Sequence, residues 1–499
     1  AECLRRVGMD TVLNVSGSFT VFAPSDQALN DYLSEKGYSD VSAIPMNELN
    51  AMVRFHILQN AWSRDQFSKL DVGGWIDPTD PESEPRAYKR QTLYRNPNEK
   101  YWVRSRKDEE VIVLDSSSAQ RYKKVFTRSR KYAPIFFDDF FEVHNLNYSD
   151  YRFYFGREFE PGNIFFADAK VVQSEIFAEN GYVYVVDRVV EPMRSAKEML
   201  ERELPGESYR VFLELIYQFP EFRSNLQETY DQQEARAGLN FDTLYNLTFP
   251  KLPFNIHEEL TGPSINVENY TYLYHNAVYV PTDIAFQKFL DEVVTSQSGY
   301  PHWNSFDDMP AGVKQIIVQS HFRSSPVYLS DINSGFEDEN GNRIFLDEGR
   351  ILRKEFGSNC TFLGLDQTVV PRAFSSITGP VYLRPGFSLL LYAIEYTKIL
   401  NAISKADKEY CFFAIPDASL ALDSSLFLDW IDRELEIYRF KAYSMSDLQF
   451  VGMPAGELGK RILNQVGTSV PTGSADKEFT ESPRGKMIVW NNVKNTVQG

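Results

Sequence analysis

The chain has 499 residues, 43% of them hydrophobic and 24% charged, and its 52 Lys and Arg against 69 Asp and Glu leave a net charge of −17. Single cores stop growing at roughly 250–300 residues, so this length implies two or three domains. The acidic balance excludes a general nucleic-acid binder, which must neutralise phosphates with Lys and Arg. No run of ~20 uncharged apolar residues is present to span a membrane as a helix.

The N-terminal segment carries Leu4, Val7, Val12 and Leu13 at helical spacing, without a start Met or a signal peptide. Its first residues are therefore expected not to be those of the gene, and any export signal or lipid anchor to have been lost with them. Next comes Thr20-Val21-Phe22-Ala23-Pro24-Ser25-Asp26-Gln27-Ala28-Leu29. Pro24 ends a buried strand without needing a ladder donor, Ser25 is placed to accept from an orphan amide of the helix that follows, and Asp26 adds negative charge at its positive end. An apolar helix then closes on Phe55-His56.

A Pro-rich acidic stretch from Asp77 to Pro85 opens a long insertion that continues to about Pro161. Between Arg86 and Lys131 it holds fourteen Lys or Arg against five acids, a net +9 that leaves −26 for the rest of the chain. Tyr88, Tyr94, Tyr101 and Trp102 are interleaved with these charges. Asn96-Pro97-Asn98 predicts a hairpin loop between Leu93-Tyr94 and Tyr101-Trp102-Val103, which would set rings and cations on one face. Arg95, Tyr101, Trp102, Arg104, Arg106 and Lys107 are the candidate binding residues for an anionic partner. The plainer alternative is a solvated hairpin whose charges pair with the acidic body.

Further on, a strand runs from Asn180 through Val186-Asp187-Arg188-Val189-Val190, and a second insertion extends from about Phe222 to Glu268. The strand, proline, cap and helix order then returns in Ala277-Val278-Tyr279-Val280-Pro281-Thr282-Asp283-Ile284-Ala285-Phe286. Ser320-His321 stands where Phe55-His56 stood. The segment from Asp331 to Asn342 is rich in oxygen ligands but lacks the order of a calcium loop, and Asn340-Gly341 reads as a type I′ hairpin turn. Phe387 to Ile403 reads as one buried amphipathic helix. A third copy follows in Cys411-Phe412-Phe413-Ala414-Ile415-Pro416-Asp417-Ala418-Ser419-Leu420, with Asp417 as the expected cap. Three copies of one block identify an internal repeat, whose strand and helix corners are expected to lie in separate sheets.

These residues resemble the fasciclin-like family, whose first motif matches Thr20 to Leu29 almost residue for residue and whose second appears at Asn180 to Val190. Ala1 to Leu13 is similar to that family's second helix, with its turn at Gly8-Met9. The second motif of repeat two is read at Gly379 to Pro385, without the Asp-Arg pair. The family's helix between its two motifs ends in Tyr-His, here Phe55-His56 and Ser320-His321, and in repeat three Asn464-Gln465 stands in that place. The resemblance implies an α+β fold of tandem fasciclin-like domains, each a twisted β-sheet wedge packed with helices and bearing large insertions. Domain one would cover 1–196 with its insertion at about 77–161, domain two 197–385 with its insertion at about 222–268, and a partial or degenerate domain three 386–499.

No constellation for catalysis is legible. The six histidines include no pair at ligand spacing, no Gly-x-Ser-x-Gly elbow exists, and no phosphate-binding Gly-rich loop follows a strand. No enzyme activity, metal or cofactor is therefore assigned. Pro24, Ser25, Asp26, His56, Asp187, Pro281, Thr282, Asp283, His321, Pro416 and Asp417 are read as structural. Three well-separated cysteines, Cys3, Cys360 and Cys411, form no readable disulfide framework. Five sequons, at Asn14, Asn147, Asn246, Asn269 and Asn359, would carry sugar in a secreted eukaryotic protein.

With so few cysteines, a bacterial surface protein is favoured. The family resemblance implies adhesion at the extracellular face of the cell, and versions with large insertions resemble Gram-negative surface lipoproteins of the outer membrane. Another surface protein or an outer-membrane complex is the expected partner, with no nucleic acid, and with the membrane touched only through a lost N-terminal anchor. The alternative is a glycan- or peptide-binding accessory lipoprotein of an outer-membrane nutrient importer.

Overall fold

Pro24 and Pro281 end their strands as expected in the computed structural model, which describes the chain apart from residues 16, 72–73, 76–78, 80–87, 98, 105–112, 116–119, 126–129, 236–241, 258–274, 296–301, 340, 405–407, 421–425, 433–436, 445–448, 470–476, 485, 492–495 and 499. The acidic stretch after Asp77, Asn269 and Asn340 fall largely or wholly outside the described residues. Ser25 and Thr282 have almost identical backbone angles (φ −62°, ψ 162° and φ −62°, ψ 160°). Their hydroxyls accept from Ala28 N at 3.1 Å and Ala285 N at 3.3 Å. The repeat is thus a repeat of geometry as well as of letters.

The third corner departs from this pattern. Asp417 opens its own four-residue helix, Asp417–Leu420, and turns its carboxylate to a different one. It accepts from Ser388 N at 2.9 Å and Leu389 N at 3.0 Å, capping the helix Ser388–Thr397. Asp417 is therefore a cap, but not of the helix that follows it. That capped helix ends at Lys398 in a left-handed conformation (φ 54°), so Phe387 to Ile403 forms two helices and not one.

The three motif strands lie in three different sheets. In the first repeat, Phe19–Pro24 runs parallel to Gly181–Val186 and antiparallel to Ile57–Gln59. The sheet continues through Ala169–Ala178, Phe165–Phe166, Arg130–Phe136 and Lys89–Arg95 and closes into a seven-stranded barrel. Two of its staves, Lys89–Arg95 and Arg130–Phe136, come from the insertion predicted at 77–161. Gly181 sits where a Cβ would lie 1.8 Å from Phe19 O, so only glycine lets the two motif strands meet. Inside, Phe22 stacks on Phe166 (4.5 Å, 15°) and on Tyr184 (5.3 Å, 22°). Sixteen aromatic rings are buried in this core.

The second repeat has a four-stranded sheet in the order Phe322–Arg323, Asn276–Pro281, Cys360–Leu365, Ile351–Phe356. Asn276 N donates to Asn359 O at 3.1 Å, as Phe19 N donates to Asn180 O at 3.0 Å. Cys360–Leu365 is thus the counterpart of Gly181–Val186, and Leu365-Asp366-Gln367-Thr368-Val369-Val370 answers Val186-Asp187-Arg188-Val189-Val190-Glu191. This corrects the placement of the second motif at Gly379 to Pro385, where Gly379–Tyr382 is helical. Loss of the Arg, with retention of the Asp, hid the true match. In repeat three, Cys411–Phe412 pairs with Val466–Gly467. By contact, the chain divides into two compact units, Ala1–Val280 with Phe322–Phe336 and Phe345–Leu365, and Pro281–His321 with Glu337–Ile344 and Asp366–Gly499. Among the described residues no helix is long and apolar enough to cross a membrane.

His56 and His321 are both buried and share one of their two bonds, that from the chain beyond the second motif. With Nδ1 of His56 donating to Phe22 O (2.7 Å), its Nε2 accepts from Val190 N at 2.9 Å. Nδ1 of His321 donates to Ile317 O (2.8 Å), while its Nε2 accepts from Val369 N at 3.2 Å. Both rings are neutral. Burial pushes each pKa down to about 4, against an ordinary value of 6.5. Below pH 6.5 the unfolded chain therefore takes up protons that the fold refuses until about pH 4. Stability should be whole above pH 6.5 and fall toward pH 4, by at most about 1.4 kcal/mol per pH unit for each ring. Replacing His56 with Ala should cost ~1–3 kcal/mol at pH 7 by leaving buried backbone groups unpaired. It should also flatten the acid slope in thermal unfolding, whereas an unchanged melting temperature at pH 7 would refute the role.

Candidate interaction site

The two insertions build one structure. Trp102–Arg104, Val113–Asp115 and Gln120–Lys124 from the first join Glu221–Ser224 and Tyr245–Thr248 from the second. They form a five-stranded sheet through the pairs Tyr245 with Trp102, Trp102 with Lys124, and Glu221 to Ser224 with Thr248 to Tyr245. Side chains alternate across a strand, so directly opposed residues share a face. Trp102 and Arg104 accordingly lie with Lys124, Tyr122 and Tyr245. Tyr101 and Val103 point the other way and cluster with Leu244.

This arrangement revises the predicted hairpin. Lys89–Arg95 pairs within the barrel, with Ile57–Gln59 and Arg130–Phe136, while Trp102–Arg104 belongs to the insertion sheet. The rings are also not an exposed platform: Tyr101 is 1% exposed and Trp102 3%. Residues supplied by the second insertion cover them. Phe222 stacks on Tyr122 at 3.7 Å and 8° and meets Trp102 edge-on at 5.3 Å, and Tyr245 packs edge-on to Tyr122 at 5.2 Å. What faces solvent is the cations above the rings. Arg104 lies over Tyr245 at 5.3 Å and Lys124 over Trp102 at 5.2 Å, and both are exposed. Arg95 is exposed at the end of its barrel strand, apart from this sheet. Arg106 and Lys107 lie outside the described residues.

Three of the counted cations contribute nothing to a surface. Arg90 is fully buried, with its guanidinium 4.4 Å from the centre of the Trp62 ring and donating to Lys89 O and Phe67 O at 3.0 Å. Buried Lys89 donates to Ser358 O at 3.3 Å, and buried Lys131 is ion-paired with Glu198. Fixed over rings and carbonyls, these charges belong to the barrel. Glu99 and His257 form a second cross-link between the insertions. Nδ1 of His257 lies 2.6 Å from Glu99 Oε2, and its Nε2 lies 3.0 Å from the Tyr217 hydroxyl. Neither Phe222 nor His257 was separable from core residues by sequence alone.

The remaining predicted residues are structural. Asp187 accepts from Arg157 Nη2 at 2.9 Å and from Lys170 N at 2.8 Å, while Arg188 pairs with Asp168 at 2.6 Å. Among the sequons, Asn359 is buried. Its side chain donates to His257 O at 3.0 Å and accepts from Ala196 N at 2.9 Å, which closes it to a glycan in the folded state. Asp338 N donates to Asn342 O at 2.9 Å and closes the turn expected near Gly341.

A separate cleft of about 650 Å³ opens beside the helix Met46–Phe55, where Tyr94, Arg95 and Pro97 face Asn47, Glu48 and Asn50, with Glu191, Pro192 and Arg194 completing the wall. Lys131 and Glu198 also line it.

If the aromatic stack holds the insertions together, Phe222→Ala should cost about 3–5 kcal/mol. It should also open the first insertion to proteolysis while leaving the barrel resistant. Unchanged cleavage there, together with an unchanged melting temperature, would contradict the shared sheet.

Comparison with known proteins finds a match over the N-terminal part of the chain, which holds the first motif strand and His56. The family model of the Fasciclin domain matches residues 1–119. A solved FAS1 domain pair from the insect cell adhesion molecule Fasciclin I aligns with 74% of this chain and 95% of its own, at 13% identity and a TM-score of 0.19. No curated protein matches the chain. Over these N-terminal residues the chain is similar to the Fasciclin domain family.

Proposed function

We propose that this is a non-enzymatic interaction protein of the cell surface that adheres to a protein partner through the sheet built by its two insertions. The observation carrying this reading is the placement of Arg104 and Lys124, exposed and held over Tyr245 and Trp102. Cations fixed over rings lose little side-chain freedom on binding, which lowers the entropic cost of meeting an anionic surface. Association of fasciclin domains with cell adhesion supports the class. Burial of Trp102 and Tyr101 favours a protein partner over a glycan, because a sugar needs an open ring to stack on. In this reading the partner is a surface or outer-membrane protein with an acidic docking loop, and the chain acts on the outer face of the cell.

Beads coated with the full chain should adhere to source cells, and adhesion should weaken as salt rises, since exposed charges are screened beyond ~8–10 Å at physiological ionic strength. The double variant Arg104→Glu with Lys124→Glu should lower adhesion severalfold at low salt and remove most of the salt dependence. Equal adhesion of both proteins at low and high salt would sink the proposal.

A further inference from the structure

The cleft beside the helix Met46–Phe55 has a charge pattern of its own. Most of its ionic groups are matched internally: Lys131 with Glu198, Glu191 with Lys36 at 2.7 Å, and Arg194 with Glu355 at 3.2 Å. Two are not. The Arg95 side chain is exposed and has no hydrogen bond or ion pair among the described residues. Glu48 is exposed and among the described residues has no cation, only the Tyr38 hydroxyl donating to it at 2.6 Å. One positive and one negative charge thus stand over a single cleft, each without a counter-ion among the described residues.

The groups between them suit a polypeptide backbone. Asn50 uses its Oδ1 to accept from Arg54 Nε at 2.8 Å, which leaves its amide N–H₂ to donate, and Asn47 is exposed with both amide functions available. A side-chain amide is donor and acceptor at once and so matches a peptide group. Pro97, Pro192 and the Tyr94 ring give apolar walls.

We infer that this cleft binds a short extended segment of a partner protein carrying one acidic and one basic side chain. The acid meets Arg95, the base meets Glu48, and the backbone between them lies on Asn47 and Asn50. A ligand with only one charge would leave the other cleft residue uncompensated, so the paired pattern sets specificity more than affinity. The site is distinct from the insertion sheet and does not depend on it.

The test is selection of a phage-displayed random 12-residue peptide library on the full chain, followed by affinity measurement of the selected peptides. Enriched peptides should carry both an acid and a base. Arg95→Glu should weaken them about tenfold and shift a fresh selection away from acids, and Glu48→Lys should do the same with bases. Arg95→Gln and Glu48→Gln should give the same order with smaller losses. Both positions are exposed, and equal melting temperatures will verify that the variants fold. Failure to enrich any peptide, enrichment of peptides bearing a single sign of charge, or binding that survives both reversals would overturn the inference. None of these outcomes bears on bead adhesion through Arg104 and Lys124, so the two readings fail separately.

Discussion

The first repeat depends on one imidazole. His56 sits at the end of the helix Met46–Phe55 and reaches two backbone segments far apart in sequence, the motif strand at Phe22 and the chain leaving the second motif at Val190. Only a neutral ring supplies one donor and one acceptor at opposite edges, so the bridge requires the same burial that keeps the ring uncharged. The Phe22 side chain stacks on Phe166 and Tyr184, and its backbone carries the bridge. Packing and hydrogen bonding are thereby joined at one residue. His321 keeps half of the device: its Nε2 accepts from Val369 N, the counterpart of Val190, while its Nδ1 turns back to Ile317 O of its own helix.

Repeat three shows what happens when the ring is absent. Gln465 holds the same place, since its carbonyl accepts from Phe413 N at 2.9 Å as the His56 carbonyl accepts from Phe22 N at 2.9 Å. Its side-chain Oε1 is buried without a partner among the described residues. Backbone pairing has outlasted the bridge. Asp417 has likewise left the local cap for the helix Ser388–Thr397. The element order persists because strand, proline and helix are specified by local chemistry, whereas the bridge needs two distant partners at once.

Much of this was legible in the chain itself. Ser25, Thr282 and the buried histidines were readable because caps and strand ends are local signals with fixed residue types. Barrel closure was not, since the staves Lys89–Arg95 and Arg130–Phe136 come from a stretch whose many cations read as surface. The buried positions of Lys89, Arg90 and Lys131 break the ordinary rule that such residues face water, and nothing near them in sequence announces Trp62 or Glu198 as partners. The candidate site was half read. Arg104 and Trp102 were found through the mixture of charge and ring, but the covering residues Phe222 and Tyr245 lie in the other insertion, and pairing across that distance leaves no local pattern.

The sheet shared by the insertions also sets a timetable for synthesis. Trp102–Arg104 has Tyr245–Thr248 as its neighbour, and that strand leaves the ribosome roughly 140 residues later. At about 5–20 residues per second the wait is about 7–30 s. During that time a strand with an aromatic face and one unpaired edge is held in a nascent chain, and the last barrel strand, Gly181–Val186, itself emerges only part-way through the wait. The cations flanking it, Arg104 and Lys124, are the kind of edge charges that discourage pairing with a neighbouring nascent chain. The charge pattern of the first insertion thus has a use before the folded protein exists.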